Sequence, residues 1–255
     1  MINKDIILID KYLKNYKKLY NKKKYDELLY MINGLIYKYD NDEFNGMLLK
    51  HKGYIYSIFK DYENAINLFL ESLHLSNNID VKDYLASAYY FNKNYDIAKK
   101  IFIELIEIGR ADVLIFIYLL DILIKENNFK KAFEIIKHNK QRVRKYFNDP
   151  DFLMQYAILL KKINRLTKSI IYFKKSLNKG NNNIYINYEI GECYCIKKDY
   201  KKALKYFKLL LKKDPLEKKN YYNLGELYKE LGYLKKSKYY LEKYDILCKN
   251  ELNMT

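Results

Sequence analysis

The chain has 255 residues, with 48 Lys and Arg against 31 Asp and Glu, a formal charge of +17, 30 Tyr, two Pro and no Trp. Over-use of Lys, Asn, Ile and Tyr together is what an AT-rich genome imposes through codon choice, so the charge reads first as a solvated surface and nucleic acid is disfavoured as a partner. No stretch reaches eighteen uninterrupted apolar residues, and an odd number of Cys, with Cys193 and Cys195 diverging on one helix, speaks against a disulfide framework or a zinc site.

At the N-terminus the apolar run Ile6 to Ile9 is bracketed by Asp5 and Asp10. It is too short for a signal-peptide core or a membrane span, which makes the cytoplasm the expected compartment. Beyond it the chain repeats itself. Seven units begin near Ile9, Gly46, Ile79, Val113, Pro150, Ile184 and Lys218, and residues 251–255 form a short tail. Each unit reads as two amphipathic helices. Length alone would allow two domains, but stacked units share a continuous core, so a single domain over 1–255 is expected.

The register is set by small residues. Ala65, Ala98, Ala132, Ser169, Ala203 and Ser237 occupy position 20 of units two to seven, and Gly53, Ala86, Ala157, Gly191 and Gly225 occupy position 8. Two helices cross closely at such points, and a larger side chain would force them apart. Unit one departs with Tyr16 and Leu28, and unit four with Leu120. Three residues beyond position 8 stand Tyr56, Tyr89, Leu123, Leu160, Tyr194 and Tyr228, with Phe69, Phe102, Ile136, Phe173, Phe207 and Leu241 facing them. Most of the aromatic residues are therefore expected in the core.

Successive position-20 residues, counted from Leu28, lie 37, 33, 34, 37, 34 and 34 apart. The two long intervals mark insertions, one around Asp40 to Asn45 and one at His138 to Lys145. The second is expected to lengthen the second helix of unit four.

This spacing of small and aromatic residues over nearly the whole chain resembles the tetratricopeptide repeat (TPR) family. The resemblance implies an all-α, right-handed superhelical solenoid that binds other proteins, with positions 2, 5, 6 and 9 of the first helices lining a concave groove. In units three to six those positions hold six acids and no Lys or Arg: Asp80, Asp83, Tyr84 and Ser87; Leu114, Ile117, Tyr118 and Asp121; Asp151, Met154, Gln155 and Ile158; Tyr185, Tyr188, Glu189 and Glu192. Unit two adds Tyr54 and unit seven Asn223. The Lys/Asn clamp with which some family members hold a terminal carboxylate is missing, since Lys50 is followed by Tyr54 where Asn is needed.

Taken together, the peptide-binding residues expected from the resemblance are Tyr54, Asp80, Asp83, Tyr84, Tyr118, Asp121, Gln155, Tyr185, Tyr188, Glu189, Glu192 and Asn223. Rigid tyrosines and acids at these places suit a protein or peptide segment carrying basic and apolar residues. Lysines such as Lys174, Lys201, Lys202, Lys205 and Lys208 fall on second helices, the convex side. They offer the alternative of nucleic-acid or anionic-surface binding. A receptor for a short signalling peptide is a further alternative; such receptors usually carry an N-terminal effector domain, for which the start of unit one leaves no room.

No catalytic constellation appears. His51, His74 and His138 lie in separate units, and there is no HExxH or Gly-rich phosphate loop. A non-enzymatic adaptor without cofactor or metal is expected. The last unit has no neighbour to cover its apolar stripe, so Tyr240, Tyr244 and Leu247 are expected to be exposed and to mediate self-association or partner docking.

Overall fold

The computed structural model describes residues 2–39, 41–76 and 78–252; Asp40 of the first insertion and residues 253–255 of the tail lie outside them. Among the described residues the fold is all-α, with fifteen α-helices and one 3-10 helix and no strand. None of these helices is long and apolar enough to cross a membrane. The packing divides into two compact units, residues 1–122 and 123–255.

The first unit holds α1 (Ile2–Asn21), α2 (Tyr25–Lys38), α3 (Asp42–Ile58), α4 (Tyr62–Ser76), α5 (Val81–Phe91), α6 (Tyr95–Glu107) and most of α7 (Val113–Lys125). Each helix from α1 to α5 packs on the next, and α3 also touches α5, so that first helices lie side by side. The insertion before unit two lengthens a first helix rather than forming a loop: α3 starts at Asp42, where the Asn41 side chain accepts the Phe44 N–H at 2.8 Å.

The second unit continues with α8 (Phe129–His138), α9 (Lys140–Val143), the 3-10 turn Arg144–Asn148, α10 (Pro150–Lys162) and α11 (Leu166–Asn178). It closes with α12 (Tyr185–Ile196), α13 (Tyr200–Lys213), α14 (Lys218–Glu230) and α15 (Leu234–Leu252). The second helix of unit four does not run on, contrary to the expectation for His138 to Lys145. Asn139 Nδ2 bonds back to the Ile135 carbonyl at 3.0 Å and ends α8. The extra residues then turn inward: Val143 is buried, and Phe147 packs edge-on against Phe152 and Tyr156.

The small-residue columns meet their partners as their spacing requires. A Cβ on Gly53 would sit 2.8 Å from the Phe69 ring, and one on Gly191 would sit 2.9 Å from Phe207, distances no carbon contact tolerates. Ala65, Ala98, Ala132 and Ala203 are wholly buried, and the buried Ser169 hydroxyl satisfies itself on the Ala157 carbonyl at 2.8 Å.

A regularity not visible as a motif sits in the turns. Lys23, Lys60, Lys93, Asn127, Asn164 and Lys198 all have φ between 54° and 64°, and Gly232 has φ of 77°. After each, the next N–H reaches back to the carbonyl five residues before it, as Asp61 does to Tyr56 and Asp199 to Tyr194. One left-handed residue thus closes every first helix and reverses the chain into the second.

Candidate functional site

In the first unit, α5 along its length and the start of α7 face α3 across a cleft of about 770 Å³. Its aromatic wall is built from rings one repeat apart. Tyr54 on α3 and Tyr84 on α5 meet at 5.5 Å and 76°, and Tyr84 lies flat over the buried Phe69. On α7, Tyr118 stacks on Tyr90 at 4.6 Å and stands edge-on to Phe91 at 5.4 Å. These contacts leave the rings few rotamers, so they present contact area at small entropic cost.

The same cleft carries three carboxylates: Asp80 just before α5, Asp83 in its first turn, and Asp112 just before α7. Asp80 pairs with Arg110. Asp112 accepts the Ile115 N–H at 3.1 Å and caps α7. Asp83 has no hydrogen-bond or ion-pair partner among the described residues. Burial first, then the neighbouring Asp112 and Asp80, push its carboxyl up to about 6, against the opposing pull of Arg110. The site is therefore short of one positive charge.

A smaller hollow of about 290 Å³ adjoins this cleft and shares Lys50, Tyr54 and Tyr84 with it; Tyr16, Tyr20 and His51 complete its wall. The Tyr20 and Tyr54 hydroxyls are 3.2 Å apart. His51 stacks on Tyr16 at 4.2 Å, and its Nδ1 lies 2.7 Å from the Tyr12 hydroxyl.

The second unit treats its acids differently. Lys161, at the end of α10, reaches across to α12 and donates to Glu189 at 2.7 Å and to Glu192. Glu189 is only 3% exposed. Tyr188 donates to Glu192 at 2.7 Å, its ring stacks on Tyr185, and Lys219 sits 4.5 Å above it. A hollow of about 210 Å³ lies beside this pair, lined by Tyr185, Tyr188, Leu210, Asp214, Glu217 and Lys219 among others. Burial and a hydrogen bond to Glu189 push the Tyr185 phenol up to about 12.

Of the residues singled out in the sequence, Tyr54, Asp80, Asp83, Tyr84 and Tyr118 come together in the first cleft. Asp121 stands beside it with its carboxylate taken by the Tyr90 hydroxyl at 2.6 Å. Tyr185 and Tyr188 line the second hollow, while Glu189 and Glu192 are turned onto Lys161. Gln155 is partly buried on α10 and lines neither hollow. Asn223 is partly buried on α14, and its Nδ2 is buried with no hydrogen-bond partner among the described residues.

Lysines from outside the four positions of units three to six reach both clefts. Lys50 lines the first cleft, and Lys161 and Lys219 balance the second. Lys161 escaped notice because it lies outside the four counted positions and acts 28 and 31 residues ahead. Asp112 escaped because it is a cap just before its unit; an Asp preceding an apolar run was the available signal. At the C-terminal end, Tyr240 stacks on Tyr228 at 5.3 Å and Tyr244 packs on Tyr222 at 5.3 Å. With Leu247 they are partly buried rather than exposed; Leu234, Tyr239 and Ile246 are the exposed apolar residues of α15.

Helical hairpins recurring at nearly constant spacing, closed by one type of turn and presenting first-helix side chains to a cleft, define a repeat protein. Residues 219–245 match the family model for the tetratricopeptide repeat. Solved structures with the same fold include one from a study of Pseudomonas aeruginosa pilF, at 14% identity over 79% of this chain and 91% of that one, with a TM-score of 0.63. A tetratricopeptide repeat protein from Parabacteroides merdae aligns at 15% identity over 92% and 93% of the two chains, with a TM-score of 0.62. YrrB, described as a TPR protein with an unusual peptide-binding site, aligns at 19% identity over 72% and 92%, with a TM-score of 0.58. No curated protein matches the sequence. The fold is that of tetratricopeptide solenoids, and the family's own model is matched by the last hairpin.

Proposed function

We propose that this chain is a non-enzymatic scaffold that holds a protein or peptide segment in the cleft of its first unit, and that the segment brings a Lys or Arg to Asp83 and apolar side chains to the tyrosines. The fold suggests a protein-interaction scaffold. The observation that carries the finer reading is Asp83, a partly buried carboxylate set between two others in an aromatic cleft, with the one nearby guanidinium already engaged by Asp80. A cationic side chain entering there gains a charge-assisted hydrogen bond in a screened-off site, and the ring faces of Tyr54 and Tyr84 favour the same charge.

Metal ions are a poor match, because no three His, Cys, Asp or Glu side chains among the described residues converge as ligands. The second unit supports a weaker version of the same role at Tyr185 and Tyr188, where Lys219 and Lys161 already neutralise the acids.

The test is titration of the full chain with a short peptide library in which an Arg is flanked by Leu or Phe, against the same library with Glu for Arg. The Arg peptides are expected to bind, and Asp83→Lys to abolish binding. Equal loss from Lys201→Glu and Lys205→Glu, which lie on α13, would defeat the reading. Asp83 is a cleaner probe than Asp121 or Glu192, whose reversal would also break bonds to Tyr90, Lys161 or Tyr188.

A further inference from the structure

The positive charge is not spread over the chain. Residues 1–122 contain 17 Lys and Arg and 17 Asp and Glu; residues 123–255 contain 31 against 14, so the whole +17 belongs to the second unit. Codon bias acts on both halves of a gene alike. It accounts for abundant Lys in both units, and it does not account for acids keeping pace with Lys in one and falling away in the other.

Within the second unit the excess is on second helices. α11 and α13 carry nine lysines and no Asp or Glu over Leu166–Asn178 and Tyr200–Lys213. Four lysines are ordered by a motif that recurs after 34 residues. Lys174 and Lys202 lie 6.0 and 5.6 Å from the Tyr194 ring, Lys202 while also paired with Asp199 at 2.6 Å, and Lys208 and Lys236 lie 5.7 and 5.5 Å from the Tyr228 ring. Each ring is itself held by a stacked tyrosine, Tyr206 at 5.8 Å and Tyr240 at 5.3 Å. A flexible side chain that binds an anion must give up rotamer freedom, and here part of that cost is already met in the folded chain. All four ammonium groups belong to exposed residues.

We infer that the second-helix face of the second unit, ordered by the contacts of Lys174 and Lys202 with Tyr194 and of Lys208 and Lys236 with Tyr228, binds the phosphodiester backbone of a nucleic acid strand. Ammonium groups fixed at one-repeat intervals match a partner whose charges are fixed along a line. A bilayer surface is the weaker match, since it rewards a continuous apolar face for insertion, and on α11 and α13 the exposed large apolar side chains are Ile171 and Leu209, set among nine lysines. Backbone binding of this kind is insensitive to sequence, because Tyr194 and Tyr228 are buried under the lysines and leave no ring face for a base.

The experiment uses the full chain and a fluorescein-labelled 30-nucleotide poly(U), followed by anisotropy at 50 and 200 mM salt. Neutralising four phosphates on a single strand gives a log–log slope near −2.8, a loss of roughly 50-fold between those salts. The combined variant Lys174→Gln, Lys202→Gln, Lys208→Gln and Lys236→Gln is expected to flatten that slope and weaken binding at 50 mM by at least tenfold. Removing the same charge from α1 with Lys11→Gln, Lys14→Gln, Lys17→Gln and Lys18→Gln should leave it unchanged.

Should the first variant lose its helical circular dichroism, Lys201→Gln, Lys205→Gln and Lys212→Gln, exposed on α13, serve in its place with the same expectation. No binding at 50 mM, equal losses from the α1 set, or capture of phosphatidylserine vesicles in place of RNA would each overturn the inference. None of these outcomes bears on the Asp83 cleft, which is read with peptides.

Discussion

Lys161 and Glu189 lie 28 residues apart in neighbouring repeats and meet at 2.7 Å with side-chain exposures of 12% and 5%. A buried ion pair gives little net stability over an apolar pair, but half of one is costly. Lys161→Met should therefore lower unfolding stability by about 3–5 kcal/mol, and Lys161→Met with Glu189→Met should recover most of that. The readout is the denaturant midpoint at constant m-value. Glu192 adds a pH signature. Burial pushes its carboxyl up, and the hydrogen bonds from Lys161 and Tyr188 outweigh this and hold it below the usual range. Its contribution is present above the ordinary carboxylate range and is lost as pH falls through its depressed value.

Asp83 should trade stability for binding. Its carboxyl is raised to about 6, so between the ordinary carboxylate value and 6 the folded chain holds the proton more tightly than the unfolded chain. That contribution is full at low pH and fades as pH rises through 6. Asp83→Asn is expected to raise the melting temperature at pH 7 while weakening an Arg-bearing peptide about tenfold. Calorimetry on both proteins at pH 5 and pH 7 checks the two halves together.

His51 works in the opposite sense. Burial, then the charge of Lys50, lowers its pKa to about 4 from an ordinary 6.5. The folded chain resists the proton, so stability should be complete above 6.5 and decline as pH falls toward 4. His51→Phe keeps a ring against Tyr16 and should flatten this slope at a modest cost from the lost Tyr12 bond. Urea midpoints at pH 7.5 and pH 5 would reveal the difference.

The turn residues give a prediction in the stabilising direction. Lys93 has φ of 64°, a conformation that costs a side-chain-bearing residue roughly 1–2 kcal/mol, of which glycine's greater unfolded freedom returns about half. Lys93→Gly should raise stability by about 0.5–1 kcal/mol, whereas Lys100→Gly, inside α6, should lower it by about 1 kcal/mol. Thermal melts of the two variants separate a left-handed turn from a helical position.

What the sequence determined by itself was whatever depends on one helix or on one hairpin. The small residues at Gly53, Ala65, Gly191 and Ala203 announce the crossing points because a close approach admits nothing larger, and each crossing recurs at nearly constant spacing. That Tyr54, Asp83, Tyr84 and Tyr118, on three hairpins, would face one groove was implied by the resemblance to tetratricopeptide repeats and not by the spacing alone. The break at Asn139 was not, because whether extra residues prolong a helix or fold onto α10 depends on what Phe147 finds to pack against.

Charge was decided only by tertiary structure. Glu189 and Asp83 occupy equivalent kinds of position in the sequence, yet one is buried against Lys161 and the other is left among carboxylates, since Lys161 reaches its partners in the next repeat while lysines such as Lys24 and Lys99 pair within three residues. The Lys–Tyr contacts need both levels: Lys202 and Lys236 meet a ring of their own hairpin, and only the stacking of successive hairpins brings Lys174 and Lys208 to the same rings.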